Sequence, residues 1–221
     1  MGGGDALESM LRGELGDAAV ARELAAILLE DALTWRAPEA APDGVGLIVA
    51  YTFGNRMQAN GNREPGPVNE ALADVAAALH ARTGARVFAQ WEVAAAIGDR
   101  MGADQLIAIN PARDAMAEPV YLSTGGVAAA VRAIVGDPRA CGRVAVVAFR
   151  DHAKRCIDVT RRAGFDAWMP AGQAMPEAYD PESGQPWTRS RVAYLLHDIR
   201  ARITDRRDEI VFRREHSKGT P

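Results

Sequence analysis

Val45-Gly-Leu-Ile-Val-Ala-Tyr-Thr52 is a continuous apolar run of strand length, and its lack of polar alternation decides the fold. A strand with one wet face alternates apolar and polar residues, whereas one covered on both faces by helices does not. The run therefore predicts a parallel strand inside an α/β sheet. Forward from it the pattern alternates. A helix is predicted over about Pro67 to Arg82, a second strand over Arg86 to Gln90 (RVFAQ), a helix over Glu92 to Met101 and a third strand over Gln105 to Asn110 (QLIAIN). A helix over Ser123 to Val135, a fourth strand over Arg143 to Phe149 (RVAVVAF), a helix over Asp151 to Ala163 and a short strand over Ala167 to Met169 continue the series. Strand, helix, strand throughout predicts a doubly wound, mostly parallel Rossmann-like sheet with helices on both faces. Ligands on such sheets bind outside the carboxyl ends of the strands.

Backward from Val45, Arg36-Ala-Pro-Glu-Ala-Ala-Pro-Asp-Gly44 is rich in breakers and reads as a linker. Residues 5 to 35 read as helical, with Leu24, Ile27, Leu28 and Trp35 recurring at helical spacing. A final helix over Trp187 to Ile203 places Val192, Leu195, Leu196, Ile199 and Ile203 on one face, which should dock on the sheet. Beyond it the charges are mixed in sign, as in a solvated tail. The expected organisation is an N-terminal helical arm and linker over 1–44, a Rossmann-like core over 45–204 and a charged tail over 205–221.

Composition narrows the function classes. The 221 residues are 48% hydrophobic and 25% charged, which is ordinary for a globular chain and unlike a disordered or collagen-like one. A net charge of -3, from 26 basic and 29 acidic side chains, supplies no general field for nucleic acid or an anionic membrane. Cys141 and Cys156 make neither a disulfide framework nor a zinc pattern, so a reducing, cytoplasmic setting is expected. Met1 to Met10 lacks the basic and apolar regions of a signal peptide, and no stretch approaches the roughly 18 apolar residues of a membrane span.

Four strand-end segments are candidates for one crevice. Thr52-Phe-Gly-Asn-Arg-Met-Gln-Ala-Asn-Gly-Asn-Arg-Glu-Pro-Gly66 is a long loop by the usual statistics. Gly54 in it permits close backbone approach, Thr52 and Asn55 offer polar groups, and Arg56 and Arg63 offer planar forks for phosphate or carboxylate. The plain alternative is a polar surface loop. It carries neither G-x-G-x-x-G nor a Walker A lysine. In Gln90-Trp91-Glu92, Glu92 suits a general base or a ribose-hydroxyl acceptor and Trp91 a stacking platform, against the plain readings of first-turn acid and core aromatic. Asn110 ends the third strand. Ser123-Thr124-Gly125-Gly126 opens a helix, as an anion site or as an ordinary cap. In Arg150-Asp-His-Ala-Lys-Arg155, His152 and Arg155 are three apart and share a helical face, with His152 the acid/base candidate. The chain has no G-x-S-x-G, H-E-x-x-H or paired His/Cys spacing, so serine hydrolase and metalloenzyme readings gain no support and no metal site is expected.

The apolar first strand with its Gly-containing loop, Thr124 before the third crossover helix, and Val146-Val-Ala-Phe-Arg-Asp-His152-Ala-Lys-Arg155 followed by R-R-A-G-F-D-A resemble the YdcF/SanA/ElyC-like proteins. The resemblance spans about residues 45 to 170. It implies a Rossmann-like fold with Thr124, His152 and Arg155 at one polar pocket, and a connection to S-adenosylmethionine binding or envelope-related roles without a common reaction. The chain departs from the pattern at Gln90-Trp91-Glu92, where the family carries Ser-Gly-Gly. It departs again at Asn110, where an acid is usual, and near Asn69 or Glu70, where an arginine is usual. The anchor of some relatives has no counterpart. The expected function is thus binding of an anionic, nucleotide-like or phosphorylated small molecule, with His152 acting on it if the protein is an enzyme. S-adenosylmethionine binding, or a non-catalytic ligand-binding module, is the alternative. The sequence names no cofactor.

Overall fold

The computed structural model describes residues 3–112 and 120–217. The chain divides into two compact units, Trp35–Tyr194 and Met1–Thr34 with Leu195–Pro221. The larger unit holds strands β1 (Glu39–Ala40), β2 (Val45–Ala50), β3 (Arg56–Met57), β4 (Arg63–Glu64), β5 (Arg86–Gln90), β6 (Leu106–Ile109), β7 (Arg143–Val147) and β8 (Asp166–Pro170). Its helices are α3 (Pro67–Thr83), α4 (Trp91–Ile97), α5 (Thr124–Val135) and α6 (Ala153–Arg162). The smaller unit holds α1 (Gly3–Leu15), α2 (Ala18–Ile27) and most of α7 (Arg191–Ser217).

Six strands form one sheet in the order β1-β8-β7-β2-β5-β6, and every neighbouring pair is parallel. The direction of winding reverses between β2 and β7, which defines the switch point of a doubly wound sheet. Both faces of β2 are covered, as the apolar run requires. Leu47, Val49 and Tyr51 join Val144 and Val146 in a core with Val127 and Val131 of α5 and Ile157 of α6. The alternate residues Ile48 and Ala50 project to the opposite face, and α3 packs on β2, β5 and β7. Gly46 sits where the β2–β7 register shifts, and a Cβ there would overlap the Cys141 carbonyl. α3 starts at Pro67 after Gly66 and stops at Gly84, whose left-handed backbone lets its N–H cap the His80 carbonyl.

Several expectations are corrected. The 36–44 linker contributes β1, which pairs with an extended β8 through Glu39↔Met169 and Ala40↔Pro170. The 52–66 loop folds into the antiparallel hairpin β3–β4, with Gly61 and Asn62 in its turn. α4 ends at Ile97, where Gly98 takes φ 53, and a 3-10 turn carries the chain to Arg100. The N-terminal arm is broken at Gly16, and Asp17 starts α2 by accepting from the Ala19 and Val20 amides at 2.9 and 3.0 Å. A π-turn over Leu28–Ala32 follows α2.

The final helix runs to Ser217, so the charged stretch is helical over 205–217, and its last residues, 218–221, lie outside the described residues. Its mixed signs fall at helical spacing: Glu209 pairs with Arg206 and with Arg213. Within the smaller unit Arg202 pairs with the buried Asp198 at 2.6 Å and donates to the carbonyls of Thr34 at 2.6 Å and Asp31 at 3.3 Å. Arg206 reaches the Asp31 carboxylate at 3.4 Å. No described helix is long and apolar enough to cross a membrane.

Candidate functional site

Parallel pairing places the carboxyl ends of β2, β5 and β7 side by side, and the residues just after each meet. The Thr52 N–H donates to Gln90 Oε1 at 3.3 Å, joining the ends of β2 and β5. Across the switch point the Phe53 ring stacks on Phe149 at 3.9 Å between centroids, with His152 6.2 Å from Phe53. Three of the four predicted segments are thereby brought together. The fourth, Ser123 to Gly126, is organised by its own cap, in which Ser123 Oγ accepts from the Gly126 amide at 3.1 Å. Thr124 is half-buried and Gly125 exposed beside it. Asn110 is exposed just past β6, and Trp91 is half-buried at the start of α4.

Asn69, on the buried face of α3, sets the backbone after β2. Its Oδ1 accepts from the Phe53 N–H at 2.9 Å and the Thr52 hydroxyl at 2.7 Å, while its Nδ2 donates to the carbonyls of Gly54 at 2.9 Å and Pro65 at 2.7 Å. All four polar valences of a fully buried amide are filled by one loop. A polar residue within the otherwise apolar stripe Asn69, Leu72, Ala73 and Ala76 was the signal for it.

Glu92 is a buried carboxyl at these strand ends. It is 3% exposed, and among the described residues its Oε2 has no hydrogen-bond partner. Burial pushes its carboxyl up to about 7, against partial relief from its own backbone N–H, from the Thr52 and Asn55 side chains and from the positive field of Arg63. Asn55 hydrogen-bonds the carboxyl and Thr52 lies against it. Thr52 has one hydroxyl proton, however, and Asn69 Oδ1 takes it at 2.7 Å. A buried carboxyl near neutrality at the mouth of a sheet is chemically versatile: it accepts hydrogen bonds when ionised and donates one when neutral.

The β7 side of the switch point is filled by the chain itself. Tyr179 and Tyr194 meet Phe53 edge-on at 5.6 and 4.6 Å, and His152 lies 5.9 Å from Tyr194. His152 is 5% exposed and occupies the N-cap of α6, where its carbonyl accepts from the Cys156 amide at 3.1 Å. Arg155 stands half-buried one turn on. Asp151, also buried, accepts from the Tyr179 hydroxyl at 2.8 Å and Arg191 Nε at 2.9 Å. Burial, and then the carboxylate it donates to, hold the Tyr179 phenol above its usual range.

The arginines divide. Arg56 makes a two-pronged bridge to Asp180 at 2.9 and 3.0 Å and reaches Glu182 at 2.8 Å, which holds Asp180 below the usual carboxylate range. Arg150 pairs with Glu177 and contacts Asp151 at 3.4 Å. Arg63 is exposed on the hairpin. Gly54, at φ 70, faces the hydroxyls of Ser183 and Thr188, so its close approach serves the 171–190 segment of this same chain. That segment was not read as functional from the sequence. An open groove of about 990 Å3 between it and α3 is lined by Arg56 and Arg150 but by none of Thr52, Glu92 or His152. Among the described residues no group of His, Cys, Asp and Glu is arranged to hold a metal ion.

Comparison with family models, with curated proteins and with solved structures returns no match, so the fold and the strand-end geometry carry the functional argument alone.

Proposed function

We propose that this protein binds a nucleotide-like small molecule over the carboxyl ends of β2 and β5, beside the switch point of its sheet. The observation that carries the reading is Glu92: a buried carboxyl whose Oε2 has no partner among the described residues, set among Thr52, Asn55 and Gln90 where doubly wound sheets receive ligands. Arg63 and the Ser123-capped start of α5 are the candidates for an anionic part of the ligand. Glu92 also takes over from His152 as the leading acid/base candidate, because His152 is packed among Phe53 and Tyr194 at a helix cap.

A specific observation favours S-adenosylmethionine as the second reading. Arg56 and Arg150 are both bridged to carboxylates, which leaves fewer forks for a phosphate, and adenosylmethionine has none. Calorimetry of the purified chain against ATP, a sugar phosphate and adenosylmethionine, at low and high salt, tests both. Salt-sensitive binding of ATP or the sugar phosphate supports the first reading. Salt-insensitive binding of adenosylmethionine supports the second, and absence of binding by all three at millimolar concentration defeats both.

A further inference from the structure

We infer that Glu92 is the hydroxyl acceptor of this site and selects for a ligand carrying a free ribose or sugar hydroxyl. The inference rests on the proposed nucleotide-like reading and deepens it. A buried acceptor atom without a partner is expensive, and native structures keep such an atom where something else completes it. Glu92 Oε2 is such an atom among the described residues. The neighbouring side chains do not complete it. Thr52 commits its proton to Asn69, the Asn69 amide is filled on all four sides, and the hydrogen bond that Asn55 gives the carboxyl leaves Oε2 open.

The missing group has to suit both protonation states of a carboxyl poised near neutrality. An ammonium only donates and a sulfonium has no proton to give, whereas a hydroxyl donates to the ionised form and accepts from the protonated one. The hydroxyl belongs to the ligand's sugar because the site lies at the end of β5, next to the switch-point strand β2, where the ribose of a nucleotide lies over a doubly wound sheet. Here the acid stands two residues beyond Gln90, the last residue of that strand.

The test compares ATP with 2′,3′-dideoxy-ATP on the full chain by calorimetry at neutral pH, for the wild type, Glu92→Met and Glu92→Gln. A hydrogen bond to a charged acceptor sets the expectation that the dideoxy nucleotide binds wild type about tenfold more weakly or worse. The ratio should fall to about one in Glu92→Met, which keeps the length of the side chain without its acceptor, and should be partly kept in Glu92→Gln. Ribose 5-phosphate, run alongside, separates the two sources of the hydroxyl. If it binds as tightly as ATP and loses affinity in Glu92→Met, the acceptor serves a sugar phosphate, which supports the inference. Equal binding of ATP and the dideoxy nucleotide by wild type overturns it while leaving the nucleotide reading intact, and this comparison needs no variant to fold. Failure of every probe to bind removes the nucleotide reading itself, and the inference with it.

Discussion

Replacing Glu92 by Gln should change how stability depends on pH, with a sign that burial fixes. The carboxyl ionises near 4.5 in an unfolded chain and near 7 in the folded one, because desolvation outweighs the backbone N–H, the Thr52 and Asn55 side chains and Arg63. Between those values the folded state holds a proton that the unfolded state has released. Its contribution to stability is therefore fully present below about 4.5 and is lost as pH rises through about 7. Each pH unit in that interval is worth about 1.4 kcal/mol, so wild type should lose roughly 2.5 kcal/mol through this group between pH 5 and 8. Glutamine fills the same space and cannot ionise. Urea unfolding of both proteins at pH 5, 6, 7 and 8 isolates the effect, since other titrating groups cancel in the difference. The stability of the Gln variant relative to wild type should climb by roughly 2.5 kcal/mol across the series, most steeply between pH 5 and 7. A difference that stays flat, or that moves in favour of wild type as pH rises, would refute the claim that Glu92 is buried without adequate partners.

Three further outcomes follow from the packing. Asn69→Ala strips the donors from two carbonyls and the acceptor from the Phe53 amide and the Thr52 hydroxyl, so urea unfolding should show a loss of about 3 kcal/mol or more. Gly54→Ala puts a Cβ 2.5 Å from Ser183 Oγ on a backbone at φ 70, and the melting temperature should drop by an amount equivalent to about 1–3 kcal/mol; an unchanged Tm would mean that the 171–190 segment is not packed on this loop. In the smaller unit, Arg202→Met leaves Asp198 buried without that partner and should cost about 3–5 kcal/mol in chemical denaturation, whereas the double change Asp198→Leu with Arg202→Met should cost much less.

The sheet was legible because its strands are buried on both faces and so read as unbroken apolar runs: VGLIVA, RVFAQ and RVAVV fall within a residue or two of where they were expected. β1 was not legible, since a two-residue edge strand in a Pro-rich stretch has no period to detect. The hairpin β3–β4 was not legible either, because the breaker-rich composition of 52–66 favoured a loop. Strand-end segments could be named from chain order, but which charges face one another across more than a hundred residues could not. Arg56 finds its acid at Asp180, and that pairing has no local signature. Asp151 was likewise hidden as the acceptor for Tyr179 and Arg191, 28 and 40 residues further along the chain.

Those long-range pairs divide the strand ends into two kinds of surface. At the β7 end, Phe53, Phe149, Tyr179 and Tyr194 fill the switch point, and the ion pairs of Arg56, Arg150 and Asp151 hold the segment after β8 in place. Each polar group named there has a protein partner of opposite character, which is the arrangement of a structural lock. At the β5 end Asn69 has already satisfied the backbone, yet Glu92 keeps a buried oxygen without a partner among the described residues. A chain that satisfies four valences of one buried amide in the same loop has the means to satisfy one more oxygen nearby. Leaving it open has a stability cost that rises with pH, and a ligand hydroxyl would remove that cost on binding. Saturating ATP should therefore flatten the pH dependence of wild-type stability toward that of Glu92→Gln, and 2′,3′-dideoxy-ATP should not. If both nucleotides flatten it equally, the open oxygen of Glu92 is not where the sugar is read.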